Sequence, residues 1–142
     1  MECTVQLLFT ILFIQKEFKL DRAKMNILIV EDEVLSAMYI EHSLAKNKDF
    51  FIDSVSDGEI AIKYAIEKKP DVILMDVRLG GSMTGIEASE KINLVYQPKI
   101  IFMTGYRGEE LEEQTRHIPN SFVIEKPIRI EDIIKYISLP NN

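Results

Sequence analysis

Cysteine is nearly missing from this chain: Cys3 is the single one in 142 residues. One thiol near the terminus excludes an internal disulfide framework and a cysteine-based zinc site, and it fits a reducing cytoplasm. Basic clusters are missing too, against a net charge of −6. Without a stripe of lysine and arginine to meet a phosphate backbone, direct nucleic-acid binding is not expected. No apolar run approaches the roughly 20 residues of a spanning helix. The most apolar stretch, residues 5–14, falls well short, and Glu2 stands where a signal peptide would carry positive charge. Internal repeats and low-complexity linkers are absent. The two histidines, His42 and His117, have no neighbouring ligand or catalytic motif and are expected to be solvated.

What remains is the profile of one globular domain, with 46% hydrophobic and 28% charged residues. Residues 1–24 form an N-terminal extension, and residues 25–142 form the domain. Two readings of the extension compete. It is an added helix or strand packing on the domain, or Met25 is the true start; the abrupt onset of the domain pattern at Met25 favours the second. A membrane anchor is the remaining alternative.

From Met25 the pattern alternates. Asn26-Ile27-Leu28-Ile29-Val30 is a continuous apolar run, as in a strand covered on both faces. Val34, Ala37, Met38, Glu41 and Leu44 follow at helical spacing. Residues 50–55 mix apolar and polar positions and read as an edge strand. Ser56-Asp57-Gly58-Glu59 reads as a capping box with Ser56 as the cap, and Ile60, Ala61, Tyr64 and Ala65 as the apolar face behind it. Residues 72–75 are a second buried strand, ending at Asp76. Thr84-Gly85-Ile86-Glu87 is a second capping box, opening a helix to about Tyr96. Residues 100–103 are a third buried strand. Residues 106–115, crowded with Glu109, Glu110, Glu112 and Glu113, suggest a short mobile helix with a solvated face. Residues 121–124 are the last strand, and Ile130, Ile133, Ile134 and Ile137 mark the last helix.

Strand–helix units repeated in this way imply an α/β fold: a doubly wound, five-stranded parallel sheet with helices on both faces. The two polar-tinged strands as edges agree with the order 2-1-3-4-5, which places a switch point between the first and third strands. Ligands of such sheets bind at the carboxyl ends of the strands. The residues there are Glu31-Asp32 after the first strand, Asp76 after the third, Thr104 after the fourth and Lys126 after the fifth. Three converging carboxylates repel one another unless a cation sits among them. Oxygen donors without His or Cys point to Mg²⁺ or Mn²⁺. A lysine and a hydroxyl facing them suit an arriving anion, most simply a phosphoryl group. Glu33 is left out of this set, as a helix first-turn acid. Gly80-Gly81 lacks the Lys-Ser/Thr of a nucleotide-binding loop.

The motifs Ile27-Leu28-Ile29-Val30-Glu31-Asp32-Glu33, Val72-Ile73-Leu74-Met75-Asp76, Met103-Thr104-Gly105 and Glu125-Lys126-Pro127, in this order and at strand ends, resemble the receiver domain of two-component response regulators. The resemblance covers residues 25 to about 139. It implies that Asp76 is the phosphoacceptor, taking a phosphoryl group from a phosphohistidine on a sensor histidine kinase or a histidine phosphotransfer protein. It implies that Asp32 holds Mg²⁺ directly and Glu31 through water, with Asp76 and the backbone carbonyl of Arg78 as further ligands. Thr104 would turn its hydroxyl to a phosphoryl oxygen, Lys126 would pair with the phosphoryl group, and the Lys126–Pro127 bond would be cis. The output surface would be the fourth helix, fifth strand and fifth helix counted from Met25.

Three departures stand out. Val123 occupies a position that is usually Tyr or Phe, and Phe122, one place earlier, faces the other side of a strand. Gly80 replaces a common proline, and the Asp76-to-Gly85 spacing is one residue longer than usual. Arg78 and Tyr106 face the phosphoryl group in the family and would tune its lifetime, in a direction the sequence does not give. The expected function is a cytoplasmic single-domain response regulator signalling by protein contact, not an enzyme. The alternative is a receiver-like interaction module that is not regulated by phosphorylation. A metal-dependent phosphatase is disfavoured, because Arg78 stands where such hydrolases carry a second aspartate.

Overall fold

Runs of aliphatic side chains without a polar break form the interior strands. The computed structural model describes residues 2–20, 24–106 and 108–141. In chain order its elements are α1 (Glu2–Leu20), β1 (Met25–Val30), α2 (Val34–Leu44), β2 (Phe50–Val55), α3 (Gly58–Lys68), β3 (Val72–Asp76), α4 (Gly85–Asn93), β4 (Lys99–Thr104), α5 (Gly108–Thr115), β5 (Ser121–Glu125) and α6 (Ile130–Ser138). The five strands are all parallel, in the order β2-β1-β3-β4-β5. β3 and β4 are buried at every position, whereas the edge strands β2 and β5 alternate with more exposed residues. This is the expected fold, with its edges where the polar-tinged strands are.

Alternate side chains of each strand serve opposite faces. On one face Leu28, Val30, Ile73, Met75, Ile100 and Phe102 pack with Ala61, Ala65, Ala88, Ile92 and Leu111, so α3, α4 and α5 lie there. On the other, Ile27, Ile29, Leu74, Ile101 and Met103 pack with Ile40, Leu44, Ile133 and Ile137 of α2 and α6. Val123 joins the first group, while Phe122 meets Tyr136 of α6 with ring centroids 5.2 Å apart. The two side chains do face opposite ways.

Several local expectations need correction. Asp57, not Ser56, caps α3: its carboxylate accepts from the Ile60 amide at 2.8 Å, and Glu59 accepts from Ser82 Oγ instead of closing a box. Of the four residues expected on the apolar face, Ala61 and Ala65 are buried, Tyr64 is half-buried and Ile60 is exposed. In α2 the inward face is Ala37, Ile40 and Leu44; Val34 and Met38 point to solvent. α4 stops at Asn93, before Tyr96, whose hydroxyl donates to the Pro70 carbonyl. The Thr84 capping box is formed in both directions. α1 is helical, with residues 2–14 exposed. Among the described residues no helix is long and apolar enough to cross a membrane.

Lys99 was not singled out by its sequence context, yet it is buried at the start of β4. Its ammonium donates to the carbonyls of Tyr136 and Ile137, both at 3.0 Å, and of Leu139. These are carbonyls at the end of α6, where a helix leaves acceptors unpaired and carries partial negative charge. At the other end of the sheet, Gly85 brings α4 against β3. A Cβ there would lie 2.0 Å from the carbonyl oxygen of Asp76. Gly85→Ala is therefore expected to destabilise the fold by about 3 kcal/mol, the upper range of overpacking. Gly105→Ala, with nothing within 4 Å of its Cβ, is expected to stay within about 0.5 kcal/mol. Urea denaturation of the two variants checks the contrast.

Candidate functional site

Backbone bonds continue past the strand ends and fix the residues that follow. Glu31 N–H donates to Val55 O at 3.1 Å, Val77 N–H to Met103 O at 3.2 Å, and Lys126 N–H to Thr104 O at 2.7 Å. Glu31, Asp76, Thr104 and Lys126 are thereby held at one edge of the sheet, at the switch point between β1 and β3. The Lys126–Pro127 peptide bond is cis, as anticipated.

The side chains converge as their positions suggested. Carboxylate oxygens of Glu31, Asp32 and Asp76 lie within 4.8 Å of one another. Lys126 Nζ stands 3.2 Å from Glu31 Oε2 and 3.3 Å from Asp76 Oδ2. Glu31 and Asp76 are buried, with side chains 1% and 6% exposed, while Asp32 faces solvent. The other Glu31 oxygen accepts from the Glu33 amide at 3.1 Å, and Asp76 Oδ1 accepts from the Arg78 amide at 3.3 Å. Glu33 itself takes a hydrogen bond from Ser36 Oγ and stays outside the cluster. Thr104 Oγ1, buried, accepts from the Tyr106 amide at 3.0 Å. That bond uses a lone pair and leaves the hydroxyl proton available to donate.

Two buried acids and one half-buried ammonium do not balance. Burial, a hydrogen bond to Asp76 that needs the protonated form and the Asp76 charge push the Glu31 carboxyl up to about 7 from 4.5. Burial pulls the Lys126 ammonium down, but the charges of Asp76 and Glu31 outweigh it and hold its pKa above the ordinary value. A divalent cation fits this donor set: three carboxylates, no histidine or thiol, and excess negative charge. The loop above it leaves room as well. A Cβ on Gly80 would come within 2.9 Å of Asp32 Oδ2, so the glycine lets that carboxylate lie under the loop.

Other features were not legible beforehand. Arg78 stacks its guanidinium over the Tyr106 ring, 4.0 Å from the centroid. Glu125 Oε1 accepts from the Gly108 amide at 2.6 Å, joining the end of β5 to the first turn of α5. His117 is not simply solvated: its Nε2 is 2.7 Å from Glu90 Oε1 on α4. A lone histidine between two acidic helices gives no spacing signal, and only the packing of α4 beside the loop after α5 reveals the pair.

The raised Glu31 pKa sets a pH dependence for the metal-free chain. The folded state holds this proton more tightly than the unfolded one, so its stabilisation is complete below about 4.5 and is lost as pH rises through about 7. In buffer with EDTA, the urea midpoint is expected to fall across that window. Glu31→Gln, which cannot ionise, is expected to flatten the fall; an unchanged slope in the variant would contradict the assignment.

Comparison with known proteins agrees with this geometry. The model of the response regulator receiver domain matches residues 27–138. The transcriptional regulatory protein PdtaR of Mycobacterium tuberculosis is 30% identical over 114 residues, 80% of this chain and 55% of that protein. The phyllosphere-induced regulator PhyR of Methylorubrum extorquens is 32% identical over 114 residues, covering 80% of this chain and 42% of that one. The chain thus spans about half the length of these curated relatives. Among solved structures, Vibrio cholerae chemotaxis protein CheY4 superposes with a TM-score of 0.73 at 22% identity, over 81% of this chain and 97% of that one. The receiver domain of sensor histidine kinase PA1611 of Pseudomonas aeruginosa, solved with a magnesium ion coordinated in its active-site cleft, gives 0.68 at 26% identity, over 80% and 93%. The fold, the ordered strand-end motifs and the match over residues 27–138 place this chain in the response regulator receiver domain family.

Proposed function

We propose that this receiver domain works by phosphorylation of Asp76, and that a sensor histidine kinase or a histidine phosphotransfer protein supplies the phosphoryl group. The observation that carries the reading is the position of Lys126 Nζ, 3.2 Å from Glu31 and 3.3 Å from Asp76, beside a cluster of three carboxylates. Glu31, Asp32 and Asp76, with the backbone carbonyl of Arg78, would hold Mg²⁺ or Mn²⁺. Such an ion supplies charge neutralisation between the acids and the phosphoryl oxygens.

The chain's own residues do the rest. The Arg78 amide and Lys126 hold the two Asp76 oxygens, so the carboxylate is presented in one orientation. An Asp76 oxygen forms the new bond to phosphorus, the phosphorus–nitrogen bond of the donor phosphohistidine breaks, and its electron pair returns to the imidazole. Lys126 then turns from the carboxylate to the added phosphoryl oxygens, and the Thr104 hydroxyl donates to one of them. Positioning and charge are the whole contribution, as phosphoryl transfer requires. The domain is a signalling module, not a turnover enzyme; it would act in the cytoplasm beside its kinase and signal through protein contact.

A second reading, an interaction module that does not use phosphorylation, is motivated by Val123. It packs into the apolar cluster of the α3–α5 face and offers no ring to change position. Incubation with Mg²⁺ and acetyl phosphate separates the two. Intact mass spectrometry is expected to find one acid-stable, base-labile phosphoryl adduct on the wild type, none on Asp76→Asn, and none when EDTA removes the metal. An adduct on Asp76→Asn would rule out the site; an unmodified wild type would favour the second reading. Mg²⁺ at 100 times its dissociation constant is also expected to stabilise the wild type by about 2.7 kcal/mol, and Asp32→Asn by far less.

A further inference from the structure

A groove of about 520 Å³ runs between α4 and α5, on the side of the sheet that carries the Asp76 loop. Its floor is apolar: Val77 and Ile86 are half-buried and Leu111 is buried. Its walls are acidic. Glu87 and Glu90 rise from α4, and Glu110 faces them from α5 with Gln114 one turn on. α5 itself holds four glutamates, Glu109, Glu110, Glu112 and Glu113, and no basic residue. Among the described residues that line the groove, the one cation, Arg78, is turned onto the Tyr106 ring at its end.

An apolar floor between two helices with a rim of one charge is the form of a helix-in-groove docking site. Carboxylate walls repel nucleic acid, acidic peptides and anionic lipid surfaces. They favour a segment carrying lysine or arginine, both in approach and in register. We propose that this α4–α5 groove docks a basic amphipathic segment of a partner protein, apolar side chains on Ile86 and Leu111 and cations against Glu90 and Glu110. Glu87 and Glu90 each have one oxygen engaged already, by the Thr84 amide and by His117 Nε2 at 2.7 Å, so the incoming cations meet Glu110 and the second oxygen of Glu90. The assignment goes beyond the phosphoacceptor reading and does not depend on it.

The test uses the full chain, isotope-labelled, in EDTA without a phosphodonor. It is titrated with a short amphipathic peptide having leucines on one face and lysines and arginines on the other. The expected result is saturable movement of the Ile86, Glu90, Leu111 and Gln114 amide resonances. Peptides with glutamate for the basic residues, or serine for the leucines, are expected not to bind. The double variant Glu90→Gln/Glu110→Gln is expected to weaken binding about five- to tenfold, as two exposed ion pairs would. A control pair elsewhere, Glu41→Gln/Glu131→Gln, is expected to leave it unchanged. Shifts spread over the whole acidic surface, equal loss in the control pair, or binding of the glutamate peptide would overturn the proposal. So would self-association of the peptide-free chain through these same amides, since the occupant would then be a second copy. None of these outcomes bears on whether Asp76 accepts a phosphoryl group, which the mass measurement reads separately.

Discussion

The ammonium of Lys126 between Glu31 and Asp76 is the interaction on which this end of the molecule depends. A parallel sheet gathers the carboxyl ends of its strands on one edge, so carboxylates placed after β1 and β3 must share a small volume. Two of them are buried, and unpaired buried charge costs several kcal/mol per ion. The lysine arrives from β5, two strands beyond Asp76 in the sheet order, and reaches back across Thr104 to meet both. Its single charge leaves the cluster negative, and the raised Glu31 pKa records the deficit. A site of this kind carries an excess of negative charge that a cation would offset.

Such tension is tolerable because the scaffold beneath it is not tense. β3 and β4 are buried along their whole length and pair in register from Val72–Lys99 to Asp76–Met103. Aliphatic clusters cover both faces. Lys99, buried at the opposite end, is matched to helix-end carbonyls rather than to acids. One lysine completes structure and the other balances a cluster of carboxylates. The difference lies in their partners, carbonyl dipoles for Lys99 and ionisable oxygens for Lys126.

This contrast explains what could be read from the sequence. Strand order, the covered strands and the convergence of Glu31, Asp32, Asp76, Thr104 and Lys126 follow from hydrophobic runs and from what stands directly after them. Those are local patterns, acting through a topology with few alternatives. Helix phase was less legible. In α2 the spacing of Val34 and Met38 fits a helix as well as that of Ala37, Ile40 and Leu44, and only contact with the sheet selects the second set. At α3, Ser56 and Asp57 are both good caps, and the apolar Ile60 beside Ala61 and Ala65 stays exposed because the sheet contacts the alanines. Lys99, the His117–Glu90 pair and the Glu125–Gly108 bond join residues far apart in the chain, with no repeating pattern to announce them.

Val123 poses the problem of how the site communicates with the helices around it. A valine of the α3–α5 face has no long lever, and Phe122 belongs to the other face, against Tyr136. Yet β5 and α5 are not independent. Glu125 stands directly before Lys126 and accepts from the first amide of α5 at 2.6 Å, so tightly that a Cβ on Gly108 would lie 3.0 Å from its Oε1. The backbone of Lys126 is bonded to Thr104 O, and Thr104 Oγ1 to the Tyr106 amide. Lys126, Thr104, Tyr106 and the start of α5 are therefore linked by charge-assisted and backbone hydrogen bonds, which are shorter and more directional than apolar contact. This linkage involves no aromatic ring. Its far end is the α5 wall of the acidic groove, so the charge cluster and the groove share one set of hydrogen bonds.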